Sequence, residues 1–325
     1  MEYTTDTLRV GIVTSGGDAP GMNAIVAGAC EEVERLGGRA YGIRGGFAGL
    51  VDLRAEPVCA ADARARVPES GTWLGTSRWP ALRDPEGRRA CDEAVAALGI
   101  GALVVIGGNG SALGARALAR SRPVAFVPAT IDRDIAGTEL TVGMDSAVGY
   151  AVDTIDRLRV TGRSLPGRAF LVQTLGAPNG FLADAVAAAA GVEIVLVPER
   201  EHDLDAIARS LRALSLDGSA IAVMSEAVGD AVRIGEALAQ RSGIRVHPTI
   251  LGHAQRAATP SVLDRKLGQA AGRAAVEALS RGRSSFIALS ASGAATSAPL
   301  VAGPEPAAPS IISDDTKERS HEPRL

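Results

Sequence analysis

Short, unbroken apolar runs alternate along this sequence with alanine-rich amphipathic stretches, and few folds tolerate that rhythm. The runs are "LRVGIVT" (8–14), "ALVVIG" (102–107), "PVAFVP" (123–128), "AFLVQT" (169–174), "VEIVLVP" (192–198) and "SAIAVMS" (219–225). Helical periodicity is expected near 21–36, 86–98, 110–121, 145–162, 180–190, 203–215, 229–242 and 264–281. Strands that are apolar without alternation are covered on both faces, so the reading is α/β with a mostly parallel, doubly wound sheet. Aromatic residues make up only 3% of the chain, so Ala, Val, Leu and Ile must build the core. At 325 residues there is room for two such domains or one large unit. The pattern fails from about 291, and residues 303–325, rich in Ala, Ser, Pro and then charge, read as a mobile tail.

Several classes of function are set aside by charge and cysteine usage. A net charge of −3 and a pI near 5.9 give no electrostatic reason to expect nucleic acid or an anionic membrane as partner. No apolar run approaches the length of a membrane span, and "MEYTTDTLRV" lacks the regions of a signal peptide. Cys30, Cys59 and Cys91 show neither CxxC nor Cys/His ligand spacing, so they read as reduced, mostly packed thiols. A soluble cytoplasmic protein is the expectation.

Ligands of α/β sheets bind where strands end and helices begin. "TSGGDAPGMNA" (14–24) follows the first strand, and "GGNGSALGA" (107–115) follows "ALVVI"; both suit close approach of backbone amides to an anion. Singly, each is weak, since a glycine turn is often only structural. A third loop, "PATIDRD" (128–134), carries Asp132 and Asp134 on either side of Arg133. If the segment is extended, both acids face one way, as a catalytic pair or as the polar end of a strand. The only lysines are Lys266 and Lys317, and neither follows a G-x-x-x-x-G, which excludes a P-loop nucleotidase. Arginines must then help hold phosphate, and "GTWLGTSRWPALRD" (71–84) offers Arg78 and Arg83 beside Trp79.

With these motifs in place the chain resembles the ATP-dependent 6-phosphofructokinase family over roughly residues 8–290. "GIVTSGGDAPGMNA", "GTWLGTSRWP", "LVVIGGNGS", "TIDRDIAGTELTVGMDSA", "DTIDRLR", "LVPE" and "ILGHAQR" carry the likeness. It implies two doubly wound, mostly parallel sheet domains. Residues 1–138 plus 251–302 would bind nucleotide and 139–250 the acceptor. It also implies Mg2+ and transfer of the γ-phosphoryl of ATP to fructose 6-phosphate or a related acceptor. In that likeness Asp132 is the base, with Thr130 and Asp134 beside it for substrate and magnesium, and Arg78 steadies the moving phosphoryl. Gly17, Trp79, Arg83 and the loop Gly108, Asn109, Gly110 and Ser111 match nucleotide contacts, with Asn109 and Asp134 at the metal. Leu175, Gly176, Glu226, His247, His253 and Arg256 match the acceptor side. Arg168 matches an arginine that enters a neighbouring subunit's site, which implies a homo-oligomer, dimer or tetramer, with shared active sites.

The departures are specific. The family's "GGDGS" is "GGNGS" here, its "TIDND" is "TIDRD", and its "MGR" is "LGA" (175–177). Asn109 brings no charge to a metal, and Arg133 is expected either to point away or to lower the pKa of the nearby acids. Gly110 and Ala129 favour ATP over pyrophosphate. His247 stands where a phosphate-binding arginine is usual, with Arg245 close by, and Arg44 replaces a nucleotide-side tyrosine. Two alternatives remain: a kinase for another sugar, polyol or nucleoside, or a catalytically silent nucleotide or sugar-phosphate binder. Basic effector positions align with Ala27, Glu31, Ala60 and Asp217, so strong control by ADP or phosphoenolpyruvate is not expected.

Overall fold

The computed structural model describes residues 8–218 and 220–300. The first third of the chain runs β1 (Arg9–Ser15), α1 (Met22–Arg35), β2 (Arg39–Ile43), α2 (Gly46–Val51), β3 (Ala55–Val58), α3 (Ala60–Ala65) and α4 (Pro85–Ala97). Next come β4 (Ala102–Gly107), α5 (Asn109–Leu118), β5 (Val124–Thr130), β6 (Val142–Gly143) and α6 (Met144–Ser164). Then follow β7 (Arg168–Thr174), α7 (Phe181–Ala190), β8 (Ile194–Leu196), α8 (Leu204–Ser215), β9 (Ile221–Ser225), α9 (Ala231–Ser242) and β10 (Arg245–Ile250). The chain closes with α10 (Val262–Ser280), β11 (Ser285–Leu289) and β12 (Ala295–Pro299).

One sheet has the order β12-β11-β5-β4-β1-β2-β3, with β6 paired to the end of β5. Its inner strands are parallel, and the two outermost, β3 and β12, are antiparallel to their neighbours. Every residue of β4 and β5 is buried, which is why their sequences are apolar without alternation. Helices α1 and α10 cover one face; α2, α4 and α5 cover the other. The second sheet, β10-β7-β9-β8, is parallel throughout, between α6 and α7 on one face and α8 and α9 on the other. Local chemistry sets the helix starts. The side chains of Asp203, Asp230 and Ser261 accept first-turn amides of α8, α9 and α10.

Where α1 crosses α10, glycine is a packing requirement. A Cβ on Gly28 would lie 2.1 Å from the carbonyl oxygen of Gln269, and one on Gly272 would lie 2.1 Å from that of Ile25. Near the start of α10, the buried Asp264 accepts the amides of Gly143 (2.8 Å) and Ser146 (2.9 Å) and the Ser146 hydroxyl. It thereby pins β6 and the start of α6 against the carboxyl end of β5.

Expectation and structure part at the edges. β2, β3, β10 and β12 lie at or near sheet margins with exposed positions, so they lack the continuous apolar signal. β12 corrects the reading that regular structure ends near 291: it pairs with β11 from Ala295 to Pro299. Its sequence, "ATSAP", is too polar to announce a strand. β11 carries a legible apolar run, Phe286–Leu289. The expected tail, 303–325, lies outside the described residues. Among the described residues no helix is long and apolar enough to cross a membrane. Cys30 and Cys91 are buried and free, with burial raising both thiols to about 12, while Cys59 is exposed and caps α3.

Candidate active site

Three loops meet at the carboxyl ends of β1, β4 and β5. The Ser111 hydroxyl, buried at the start of α5, donates to the carbonyl of Ser15 (3.0 Å). The Gly16 amide donates to the Ser77 carbonyl (3.2 Å), and the Thr76 hydroxyl donates to the Gly16 carbonyl (2.9 Å). Loops 14–24, 71–84 and 107–115 are therefore stitched together, which brings Gly17, Arg78 and Gly108–Ser111 to one place. Gly16 holds φ at +87°, a turn that favours glycine. A Cβ on Gly110 would meet nothing within 4 Å, so that glycine faces open space. The first-turn amides of α5 have no helical acceptor and are free for an anion.

Arg78 and Arg83 are exposed, and among the described residues no hydrogen bond or ion pair ties the Arg78 side chain. Trp79 is half-buried, packed against the core beneath α2, α4 and α5.

Thr130 ends β5, and its hydroxyl accepts the Asp132 amide and donates to Asp132 Oδ2, both at 3.2 Å. Asp132 Oδ1 is buried and has no hydrogen-bond partner among the described residues. Arg256 approaches Oδ2 at 3.9 Å, each side chain being 18% exposed, and anchors itself on the Asp18 carbonyl at 3.2 Å. A Cβ on Gly17 would sit 2.8 Å from Arg256 Nη1, so a larger residue there would displace the guanidinium. Burial pushes the Asp132 carboxyl above the usual aspartate range. Arg256 draws it back and Asp134 pushes it up; the Thr130 hydroxyl lowers it, and Glu226 raises it.

One expectation about this loop is corrected, and the alternative left open for Arg133 is decided. The strand stops at Thr130 and Arg133 adopts φ +49°, so the two acids do not share a face by strand alternation. The Arg133 Nε donates to the Glu139 carbonyl (2.9 Å), and Arg256, not Arg133, is the guanidinium that opposes burial at Asp132. Asp134 instead faces Asn109, whose Nδ2 donates to Asp134 Oδ2 at 2.7 Å and to its carbonyl at 3.2 Å.

The acceptor-side residues assemble at the carboxyl ends of β7 and β9. Glu226 Oε1 accepts the amides of Gly176 (3.1 Å) and Ala177 (3.2 Å). The Leu175 amide donates to the buried Gln255 Oε1 (3.0 Å), whose Nε2 donates to the Ala147 carbonyl (3.2 Å). Gln255 was not legible as a site residue, although it lies between His253 and Arg256 in "GHAQR". Exposed His253 shares its short helical turn, Gly252–Ala257. Arg168 and His247 are not brought to this place. Arg168 begins β7, six residues or about 20 Å from Thr174 at its other end. His247 pairs with Phe170 near that same beginning, with Nε2 buried and without a partner among the described residues.

Asp134 and the Asn109 amide offer oxygen donors that suit a hard cation. Among the described residues no three His, Cys, Asp or Glu side chains form a ready-made cage.

Comparison with known proteins places this geometry. The family model for phosphofructokinase matches residues 9–279. ATP-dependent 6-phosphofructokinase from Bacillus cereus is 38% identical over 278 residues, spanning 85% of this chain and 87% of the relative. ATP-dependent 6-phosphofructokinase 1 from Thermus thermophilus is 39% identical over 282 residues, with the same coverage. Among solved structures, phosphofructokinase from Pichia pastoris in the T-state superposes with a TM-score of 0.81 at 27% identity. That match covers 90% of this chain but only 35% of the longer yeast chain. The pyrophosphate-dependent phosphofructokinase from Marinobacter aquaeolei shares the fold, with a TM-score of 0.80 at 20% identity over 90% of this chain and 83% of that one. The loops that meet around Asp132 thus lie within a match spanning most of the molecule, and the chain belongs to the phosphofructokinase family.

Proposed function

We infer that this protein is an ATP-dependent phosphotransferase of the 6-phosphofructokinase type, transferring the γ-phosphoryl of Mg-ATP to a hydroxyl of fructose 6-phosphate or a closely related acceptor. The observation that carries the reading is Asp132 Oδ1, a buried carboxylate oxygen without a partner beside two amide-lined loops. That oxygen takes the proton of the attacking hydroxyl, a role worth roughly 10²–10⁴-fold in rate. Phosphoryl transfer asks the protein mainly for alignment and charge neutralisation. Gly17 and the turn Gly108–Ser111 hold the phosphates, Trp79 and Arg83 border the nucleotide, and untied Arg78 is free to swing onto the transferring group. Asp134, with Asn109 beside it, would hold magnesium, which would supply charge neutralisation on the phosphates.

On the acceptor side, Glu226 fixes the turn at Gly176 and keeps its second carboxylate oxygen for a hydroxyl, while His253 and Arg256 supply positive charge. Arg168 and His247, at the far end of β7 and β10, serve the site of a neighbouring copy in a homo-oligomer. Such an enzyme acts in the cytoplasm on freely diffusing substrates. The test is ADP release from Mg-ATP by the purified full chain with fructose 6-phosphate. Turnover on the order of 1–100 s⁻¹ is expected; no release with that acceptor, while nucleotide still binds, would reject the assignment.

A further inference from the structure

Asn109 and Asp134 lie 25 residues apart in sequence, yet one side chain spans the gap between their loops. Asn109 is the first residue of α5 and so is fixed by a helix. From there its Nδ2 reaches both the carboxylate and the backbone carbonyl of Asp134. On the other side of Asp134, Arg133 is held in a left-handed turn by its bond to the Glu139 carbonyl. Asp134 is thus held directly by the Asn109 amide, while the residue before it is fixed by a bond elsewhere.

A carboxylate in place of the Asn109 amide would face the Asp134 carboxylate at hydrogen-bond range. Two negative charges that close repel unless a cation or proton lies between them. The amide removes that need, since its N–H group stands where a cation would otherwise be required.

We propose that Asn109 is a positioning residue that latches the β4–α5 turn to the Asp134 loop without any divalent ion. The free protein holds this part of its site closed by an internal hydrogen bond and has negligible affinity for the bare metal. Divalent metal enters only with a phosphate-bearing ligand. The last clause rests on the phosphotransferase reading; the latch does not.

The test uses the full chain, without nucleotide or acceptor, as wild type, N109D and N109A. Binding of Mn2+ is followed by the electron paramagnetic resonance signal of the free ion, and melting is measured in a chelator and in millimolar Mg2+. Wild type should show no saturable Mn2+ site and a cation-independent midpoint. N109D should bind Mn2+ roughly tenfold or more tightly than wild type, and melt lower in chelator with recovery in Mg2+. N109A should stay insensitive to cations while amides of 131–139 exchange hydrogen roughly fivefold faster, as loss of one modest hydrogen bond implies. Wild type binding Mn2+ as tightly as N109D, or an N109D midpoint indifferent to cations, would overturn the proposal. Should N109D not fold, unchanged exchange in N109A would overturn it alone. Because no step involves phosphoryl transfer, an intact latch beside a failed kinase assay would reject only the function.

Discussion

Asp132, the proposed general base, is largely shielded from water, its side chain being 18% exposed, and that shielding has an electrostatic cost. Burial works against the charged form, with Arg256 as the main opposing influence. Because the folded carboxyl titrates above its unfolded value, Asp132 contributes stability only while protonated, and that contribution is lost as pH rises through the folded value. Asp132→Asn should therefore melt higher than wild type at neutral pH, with the advantage shrinking on acidification. Its turnover should fall by roughly 10²–10⁴-fold. Melting curves at several pH values, together with kcat, check both halves. Arg256→Gln removes the nearby positive charge, which raises the Asp132 carboxyl further. The acidic limb of the rate–pH profile should then move to higher pH; an unmoved limb would show that Arg256 does not act on the base. At this scale the sequence named Thr130, Asp132 and Asp134 correctly as neighbours but misjudged their geometry. Two-residue alternation holds only within a strand, and this strand ends one residue too early.

At the scale of elements, the packing of α1 on α10 depends on Gly28 and Gly272, each pressed on a carbonyl of the opposite helix. Replacing either with alanine would force the helices apart, at a cost of about 1–3 kcal/mol of stability. Urea denaturation would read the loss. Both helices lean on the sheet that carries the glycine loops proposed to hold nucleotide, so the variants should also weaken nucleotide binding. The buried strands and long helices were legible because continuous apolar runs and 3.6-residue periodicity leave few alternatives. Most of what was missed lies at margins. "RVHPTI" and "ATSAP" become strands through pairing with β7 and β11, and no local pattern encodes a partner. The glycine loops were legible as strand-to-helix turns, whereas the stitches between them, such as Ser111 to Ser15 and Thr76 to Gly16, join residues far apart in sequence.

For the whole molecule, the placement of Arg168 and His247 at the end of their strands far from the proposed acceptor pocket bears on assembly. If each site borrows Arg168 from a neighbour, Asp132→Asn and Arg168→Ala subunits should complement each other. Mixed dimers would regenerate one intact site in each heterodimer, giving about a quarter of wild-type activity after random reassembly. Assays at limiting acceptor would detect it, and no recovery in verified hybrids would mean that each subunit completes its own site. The antiparallel course of β12 has a practical side. It returns the chain to the level of Ser284, the amino-terminal rim of the first sheet, opposite the rim that bears the glycine turns. A reporter or solid support attached just beyond that strand would stand some 20 Å, a strand's length, from the catalytic face, leaving diffusing substrates an unobstructed approach to immobilised enzyme.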